Sequence, residues 1–372
     1  TRESGVLCPH CANHCSRTIL RFPDGGCYVT GNRCDRGAVV TEEAAPVKKA
    51  GEVPDLFRLR QELLFKTYPV SPVRGEQSET IGLPRVLEFW DSMPFWSTFF
   101  RALGYPVKFS RPSSRKQYES GLQYVASDTI CFPAKLVHGH VLDLSKQGVD
   151  RIFLPYILHM PPENKREKSP YVCPVIMGYS MVVRNFQSPE EHFSVDFETP
   201  VFHWFTEKDR KRQICQYAMD RCGATKQQAE EACRQAAAAI TAFRHQLAEA
   251  GKQVIADTEK TGGFAVVLAG RPYHTDPLIN HDLSRMFTRR GIPVLTVDSL
   301  PGLETADLRK SRVEITNDFH ARMLSGAMVT AEKSCLEYVQ IVSFGCGHDA
   351  ILSDEIIRLL GEGSGKPPLI LK

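Results

Sequence analysis

Two blocks of this chain alternate short apolar runs with helix-like stretches, and that alternation is satisfied by a parallel sheet flanked by helices. In the first block residues 80–83, 105–110 and 151–154 read as strands, 86–103 as a helix containing Pro94, 113–121 as a helix start, 123–130 as an extended segment and 133–146 as a helix. In the second, 264–270, 292–297, 338–343 and 368–371 read as strands, and 280–290, 319–331 and 350–360 as helices. Residues 207–259, rich in Ala, Gln, Glu, Lys and Arg and broken at Gly223 and near Gly251, read as a helical hairpin or spacer. The expected fold is α/β: two doubly wound parallel-sheet lobes joined by a helical spacer and preceded by a small Cys-rich metal knuckle. The boundaries are 1–40 for the knuckle, 41–79 for a linker with a short amphipathic helix at 56–65, 80–205 for the first lobe, 206–260 for the spacer and 261–372 for the second lobe.

The chain's 372 residues suit two or three domains at about 100–200 residues each. Lys plus Arg is 46 and Asp plus Glu is 43, so the formal charge of +3 gives no electrostatic ground for a nucleic-acid or anionic-membrane partner. The longest apolar runs, such as 264–270, fall far short of the ~20 residues that span a bilayer. The opening Thr1-Arg2-Glu3-Ser4 has neither an initiator Met nor a signal-peptide pattern, so a cytoplasmic segment of a longer protein is expected. Twelve cysteines are too few for a disulfide scaffold of this length and fit a reducing compartment.

Five of those cysteines lie in the first 34 residues, in a stretch with little apolar periodicity. Cys8, Cys11 and Cys15, two and three residues apart, with Cys27 and Cys34 beyond, can converge on one ion at about 2.3 Å, and Cys34 closes a four-thiolate shell. Gly25-Gly26 and Gly31-Asn32 supply chain reversals, with Tyr28 and Val29 as a short strand between them. The metal ligands expected here are Cys8, Cys11, Cys15 and Cys34; zinc and an iron-sulfur cluster both suit them, and His10 or His14 could replace a Cys.

Three lone cysteines share another context: Cys131 in Asp128-Thr-Ile-Cys-Phe-Pro, Cys173 in Tyr171-Val-Cys-Pro, and Cys346 in Ser343-Phe-Gly-Cys-Gly-His. Each follows an apolar segment and precedes Pro or Gly. In open α/β sheets the carboxyl ends of strands form the ligand crevice, so the three thiols could meet there, where three ligands leave one iron of a 4Fe-4S cluster open; ordinary buried cysteines are the alternative. Cys215, Cys222, Cys233 and Cys335 read as structural. Gly270-Arg-Pro-Tyr-His-Thr-Asp-Pro277 follows a strong strand, and its Arg, His274 and Asp could bind an anion or move a proton, or the loop could be a rigid turn held by its prolines. His348, His138 and His140 are further candidates for proton delivery, or are helix-start and surface residues. No Gly-rich phosphate loop, G-x-S-x-G elbow or H-E-x-x-H pair occurs.

Cys8-x2-Cys11-x3-Cys15 with Gly31-Asn-Arg-Cys34-Asp-Arg-Gly37, followed by Gly82-Leu-Pro-Arg85, Pro94-Phe-Trp96 and Pro112-Ser-Ser-Arg115, resembles the uncharacterised domain of activators of 2-hydroxyacyl-CoA dehydratase. Cys131-Phe-Pro-Ala-Lys-Leu-Val-His-Gly-His140, Gly270-Arg-Pro-Tyr-His274 and Ser343-Phe-Gly-Cys-Gly-His-Asp-Ala350 look like the same family, so the resemblance covers nearly the whole chain. In large members an actin-like ATPase part precedes this region and couples ATP hydrolysis to low-potential electron delivery. The region itself is similar to dehydratase subunits, in which paired lobes hold an iron-sulfur cluster by three cysteines. The resemblance thus implies that Cys131, Cys173 and Cys346 hold a cluster, that an activase ATPase domain is the partner, and that a small molecule or acyl-CoA is the substrate. It also implies that the chain is not an ATPase by itself. The function expected is the iron-sulfur electron-accepting component of an ATP-driven reductase or dehydratase system; the alternative is a non-catalytic zinc-binding scaffold of such a system.

Overall fold

The computed structural model describes residues 1–9, 14–21, 27–32, 53–160, 162–164, 171–314, 317–343 and 346–371. The chain divides into two compact units, Thr1–Lys49 and Ala50–Lys372. In the first, β1 (Arg2–Leu7), β2 (Ser16–Arg21) and β3 (Cys27–Thr30) form an antiparallel sheet with β2 in the middle. Only Cys8, Arg17 and Ile19 are buried among its described residues.

The second unit begins with α1 (Leu56–Leu64), whose N-cap Asp55 accepts hydrogen bonds from the Phe57 and Arg58 amides. The first parallel block follows: β4 (Ile81–Leu83), α2 (Phe89–Ala102), β5 (Val107–Phe109), α3 (Arg115–Gly121), α4 (Phe132–Lys146) and β6 (Arg151–Phe153). It continues through β7 (Tyr156–His159), α5 (Pro174–Phe186), α6 (Pro189–Phe193), β8 (Asp196–Glu198) and β9 (Val201–His203). The helices α7 (Glu207–Cys222) and α8 (Lys226–Thr261) lead to the second block. That block runs β10 (Ala265–Ala269), α9 (Pro277–Asn280), α10 (Leu283–Thr288), β11 (Val294–Thr296), α11 (Asp318–Ala331), β12 (Leu336–Ile341), α12 (Gly347–Ser364) and β13 (Leu369–Leu371).

Both blocks build the same object. The strand orders β5-β4-β6-β8 and β11-β10-β12-β13 are each second, first, third, fourth, and every pairing in them is parallel. A sheet of this order reverses direction between its first and third strands, and the crevice beyond their carboxyl ends is where such folds bind ligands. The α/β expectation is met, and β7 and β9 add a separate parallel pair that the sequence does not announce.

Alternation along β10 explains why its sheet is covered on both faces. Ala265, Val267 and Ala269 enter the main core, while Val266 and Leu268 join Phe57 of α1, Val294, Val339 and Ile341 in a second cluster. The segment leading into α1 also extends this sheet, since the Val294 amide donates to the Pro54 carbonyl at 3.0 Å. In the first block the core is aromatic: Trp96 of α2 lies 4.7 Å from Phe153 and 5.9 Å from Phe202, ring centre to ring centre. Pro94 sits inside α2 and has no N–H to offer the carbonyl four residues back, that of Trp90. The buried Arg60 guanidinium supplies the missing donor to that oxygen at 2.7 Å and also reaches Asp298 at 2.7 Å and Thr275 at 3.2 Å.

Three sequence expectations are corrected. Residues 123–130 form no strand: a 3-10 turn at Leu122–Tyr124 is followed by irregular chain in which the Ser127 hydroxyl bonds Thr129, a local alternative to a ladder. The helix expected at 280–290 is split, because it starts earlier at Pro277 and is ended by left-handed His281 and Asp282, at φ +55° and +56°. Gly251 does not break α8, which runs through it. A Cβ there would lie 1.9 Å from the Ser299 carbonyl oxygen, so the glycine permits close approach of helix and loop.

Glu88 gives a pH-dependent prediction. Burial, opposed by the Ser92 hydroxyl that donates to it and aided by Asp91, pushes its carboxyl up to about 7 from an ordinary 4.5. The folded chain therefore holds this proton more tightly than the unfolded one, and stability falls as pH rises from 4.5 towards about 7. Glu88→Gln is expected to remove that decline and to exceed the parent by on the order of 3 kcal/mol at pH 8. Urea melts at pH 5 and pH 8 check it; parallel pH profiles for parent and variant would refute it.

Candidate functional site

Cys131, Cys173 and Cys346 occupy the same position in three different elements: each is the N-cap of a helix, α4, α5 and α12 respectively. Pro133 and Pro174 lie in the first turns of α4 and α5, where a missing N–H costs nothing. Helix N-termini carry unpaired amides and partial positive charge, which favours anionic sulfur. Cys131 lies within electrostatic reach of Cys173 and Cys346. Burial is the main influence that pushes Cys131 up, Cys173 and Cys346 push the same way, and the Ala134 amide and Arg271 pull it down. All three are half-buried. Among the described residues no three His, Cys, Asp or Glu side chains stand close enough to share a single metal ion.

The loop after β10 supplies the groups beside them. Arg271, 3% exposed, donates to both carboxylate oxygens of Asp349 at 2.5 and 3.2 Å and to Cys346 Sγ at 3.3 Å. Burial works against its charge, but the Asp349 carboxylate paired with it more than offsets this, and its proton is held more tightly than usual. Asp349, on the first turn of α12, also accepts the Ser343 amide at 2.8 Å and so ties the β12 end to this arginine. Tyr273 is held protonated chiefly by burial, with Arg271 opposing and Cys173 and Cys131 reinforcing it, so its phenol lies in the field of the same thiols. Burial first and Arg271 second push His274 far down. Its Nδ1 accepts the Arg271 amide at 3.1 Å, which leaves Nε2–H to donate to Ser343 Oγ at 3.1 Å. The ring is seated over Gly270, where a Cβ would come within 2.6 Å of Nδ1.

His348 is exposed and its ring lies 5.1 Å from that of His320, whose Nε2 accepts from Arg271 Nε at 3.4 Å. Burial, then Arg271 and His348, pushes His320 down to about 3. His138 and His140 are fully buried rather than surface residues. His138 bonds Gln187 Oε1 through Nδ1 at 2.9 Å, so its Nε2 accepts the Tyr179 hydroxyl at 3.1 Å, and Tyr179 in turn feels Cys131. His140 lies between Ser110 and Ser113, and the Ser113 hydroxyl donates to Asp276, a polar chain that joins the two sheet blocks. A cavity of about 420 Å³ is lined from the first block by Phe132 and Pro133, which follow Cys131 in the chain, and from the second by His274, Asn280, Ile341 and Ser343.

With this geometry in place, the comparison with known families is decisive at one level. The model of the CoA enzyme activase uncharacterised domain matches residues 80–300, more than half of the chain. The chain belongs to that family. No curated protein matches it.

The CoA enzyme activase match takes in the first sheet, the helical pair and the first two strands of the second sheet, and with them Cys131, Cys173 and Arg271; Cys346 and Asp349 lie beyond it. In the N-terminal unit Cys8 is buried and its amide donates to the Cys15 carbonyl at 2.9 Å, while Cys27 is exposed within hydrogen-bond reach of Arg21. Cys11 and Cys34, with His10, lie outside the described residues. Among the described residues no helix is long and apolar enough to cross a membrane. Sequence reasoning missed Tyr273, Tyr179 and the Arg271–Asp349 pair as parts of the site. The signal for Asp349 was its place three residues after Cys346, where an acidic side chain favours a helix start.

Proposed function

We propose that this CoA enzyme activase family member is the iron-sulfur electron-accepting component of an ATP-driven, low-potential reductase or dehydratase system. The observation that carries the reading is the set of three cysteines at three helix N-caps, drawn from both sheet blocks, with Cys131 within electrostatic reach of the other two. A 4Fe-4S cluster asks each thiolate for a separate iron, which suits three cysteines at the starts of three different helices. Held by three thiolates, such a cluster supplies a low-potential electron and one iron open to a substrate oxygen.

The chain's own residues supply the rest of the reading. The Ala134 amide of α4 favours the anionic form of Cys131, and Arg271 adds a fixed cation at Cys346. His274, neutral and locked by Arg271 and Ser343, offers no charge of its own but orders the wall of the cavity. That cavity is apolar enough for the acyl part of a thioester or another small molecule. The partners in this reading are an activase ATPase domain, in the same longer chain or separate, and an acyl-CoA or other small-molecule substrate. Cys8, Cys11, Cys15 and Cys34 are assigned zinc or a second cluster, and the setting is cytoplasmic.

Purification without oxygen tests it. Brown protein with iron and acid-labile sulfide, bleached by dithionite, is the expected result, together with no ATP hydrolysis by the chain alone. Colourless protein holding only zinc after anaerobic reconstitution would instead make it a scaffold or regulatory module.

A further inference from the structure

The helices α7 and α8 carry a second cysteine pair that the reading above does not use. Cys215 on α7 and Cys233 on α8 face each other across the hairpin with their sulfurs 3.4 Å apart. Both are free thiols, 7% and 6% exposed. The connection between the helices is only three residues long and is fixed by left-handed Gly223 and by the Thr225–Gln228 capping box, so the two helices are held as close antiparallel neighbours. We propose that Cys215 and Cys233 form an oxidisable dithiol, a modification site that closes to a reversible disulfide between the two helices when the chain meets a hydroperoxide.

Disulfide sulfurs stand about 2.05 Å apart, so the pair needs about 1.3 Å of approach, within the reach of side-chain rotation. Either sulfur can donate to the other across this contact, and whichever loses its proton is the nucleophile while its partner resolves. The thiolate of one attacks one peroxide oxygen; an S–O bond forms, the O–O bond breaks and hydroxide leaves as water with the thiol's proton. The partner sulfur then attacks the sulfenic sulfur; the S–S bond forms, the S–O bond breaks and the departing hydroxide takes the partner thiol's proton. The two sulfurs lose two electrons, the hydroperoxide gains two, and hydrogen peroxide yields two waters. The staple bears on the first sheet as well, because Tyr217 and Arg221, on the same helix as Cys215, hold Glu198 at the edge strand β8 by bonds of 2.6 and 2.7 Å.

The test uses the full chain, reduced under argon and exposed to graded hydrogen peroxide while folded, then quenched in acid, alkylated in denaturant and mapped by peptide mass. The expected product is a peptide pair joined through 215 and 233, lighter by two hydrogen atoms and restored by dithiothreitol. Cys222 and Cys335, each buried without a thiol partner in the described structure, should still take the alkylating agent. In Cys233→Ser and in Cys215→Ser no linked peptide pair should form. The parent measurement stands even if a variant fails to fold. Both thiols remaining alkylatable across the titration, or either joining a different cysteine, would overturn the assignment.

Discussion

Cys131→Ser, Cys173→Ser and Cys346→Ser are each expected, under the proposed cluster assignment, to remove most of the iron and sulfide, a fall of about four irons per chain. Serine preserves shape, but its hydroxyl stays protonated and hard where the iron wants a soft thiolate, so one substitution takes away a third of the protein ligands. The helices should survive, because each cysteine is an N-cap and serine is itself a favoured N-cap residue. Unchanged circular dichroism with lost absorbance near the cluster band is thus the signature, and electron acceptance from a reduced activase should vanish with it. Cys222→Ser and Cys335→Ser should leave iron unchanged. Full iron content in any one of the first three variants would strike that cysteine from the site, and full content in all three would move the cluster elsewhere.

The parts of this molecule legible in the sequence are those fixed by local pattern. The buried strands of both blocks are apolar runs bounded by helices, and β4, β6, β10 and β12 fall within two residues of their predicted positions. Pattern fails where a few side-chain bonds decide the backbone. Nothing in the composition of 280–290 shows that His281 and Asp282 turn left-handed, with Asn280 holding the His274 carbonyl just before them. The three cysteines were legible as a set because each precedes Pro or Gly; their common role as N-caps was not, since Cys131 follows an irregular segment rather than the expected strand. Contacts between distant residues were invisible. Arg271 and Asp349 are 78 positions apart, and Arg60 completes the backbone of α2 around Pro94 from a helix expected to lie in a linker.

That distant pair sets up the second large effect. Asp349→Asn is expected to lower the unfolding free energy by about 3–5 kcal/mol, because it leaves a buried guanidinium with no carboxylate. Arg271 and Asp349 have side chains 2% and 0% exposed, so neither can turn to water without opening the end of the second sheet. Arg271 cannot shed its charge either, since a guanidinium keeps its proton under all ordinary conditions. Asparagine offers one acceptor where aspartate accepts three bonds, from two guanidinium nitrogens and the Ser343 amide, and its own N–H groups point at donors. The remaining contacts of Arg271, to Cys346 and to His320 at 3.4 Å, replace no carboxylate. The exposed Arg115–Glu119 pair is the control: at 86% and 55% side-chain exposure, Glu119→Gln should leave the urea midpoint where it was. The double variant Arg271→Met with Asp349→Leu separates an orphaned charge from lost packing, and it should recover much of the loss because no charge is left unpaired. If the double variant is no more stable than Asp349→Asn, the cost lies in the bonds that Asp349 makes to Ser343 and the β12 end rather than in the stranded arginine.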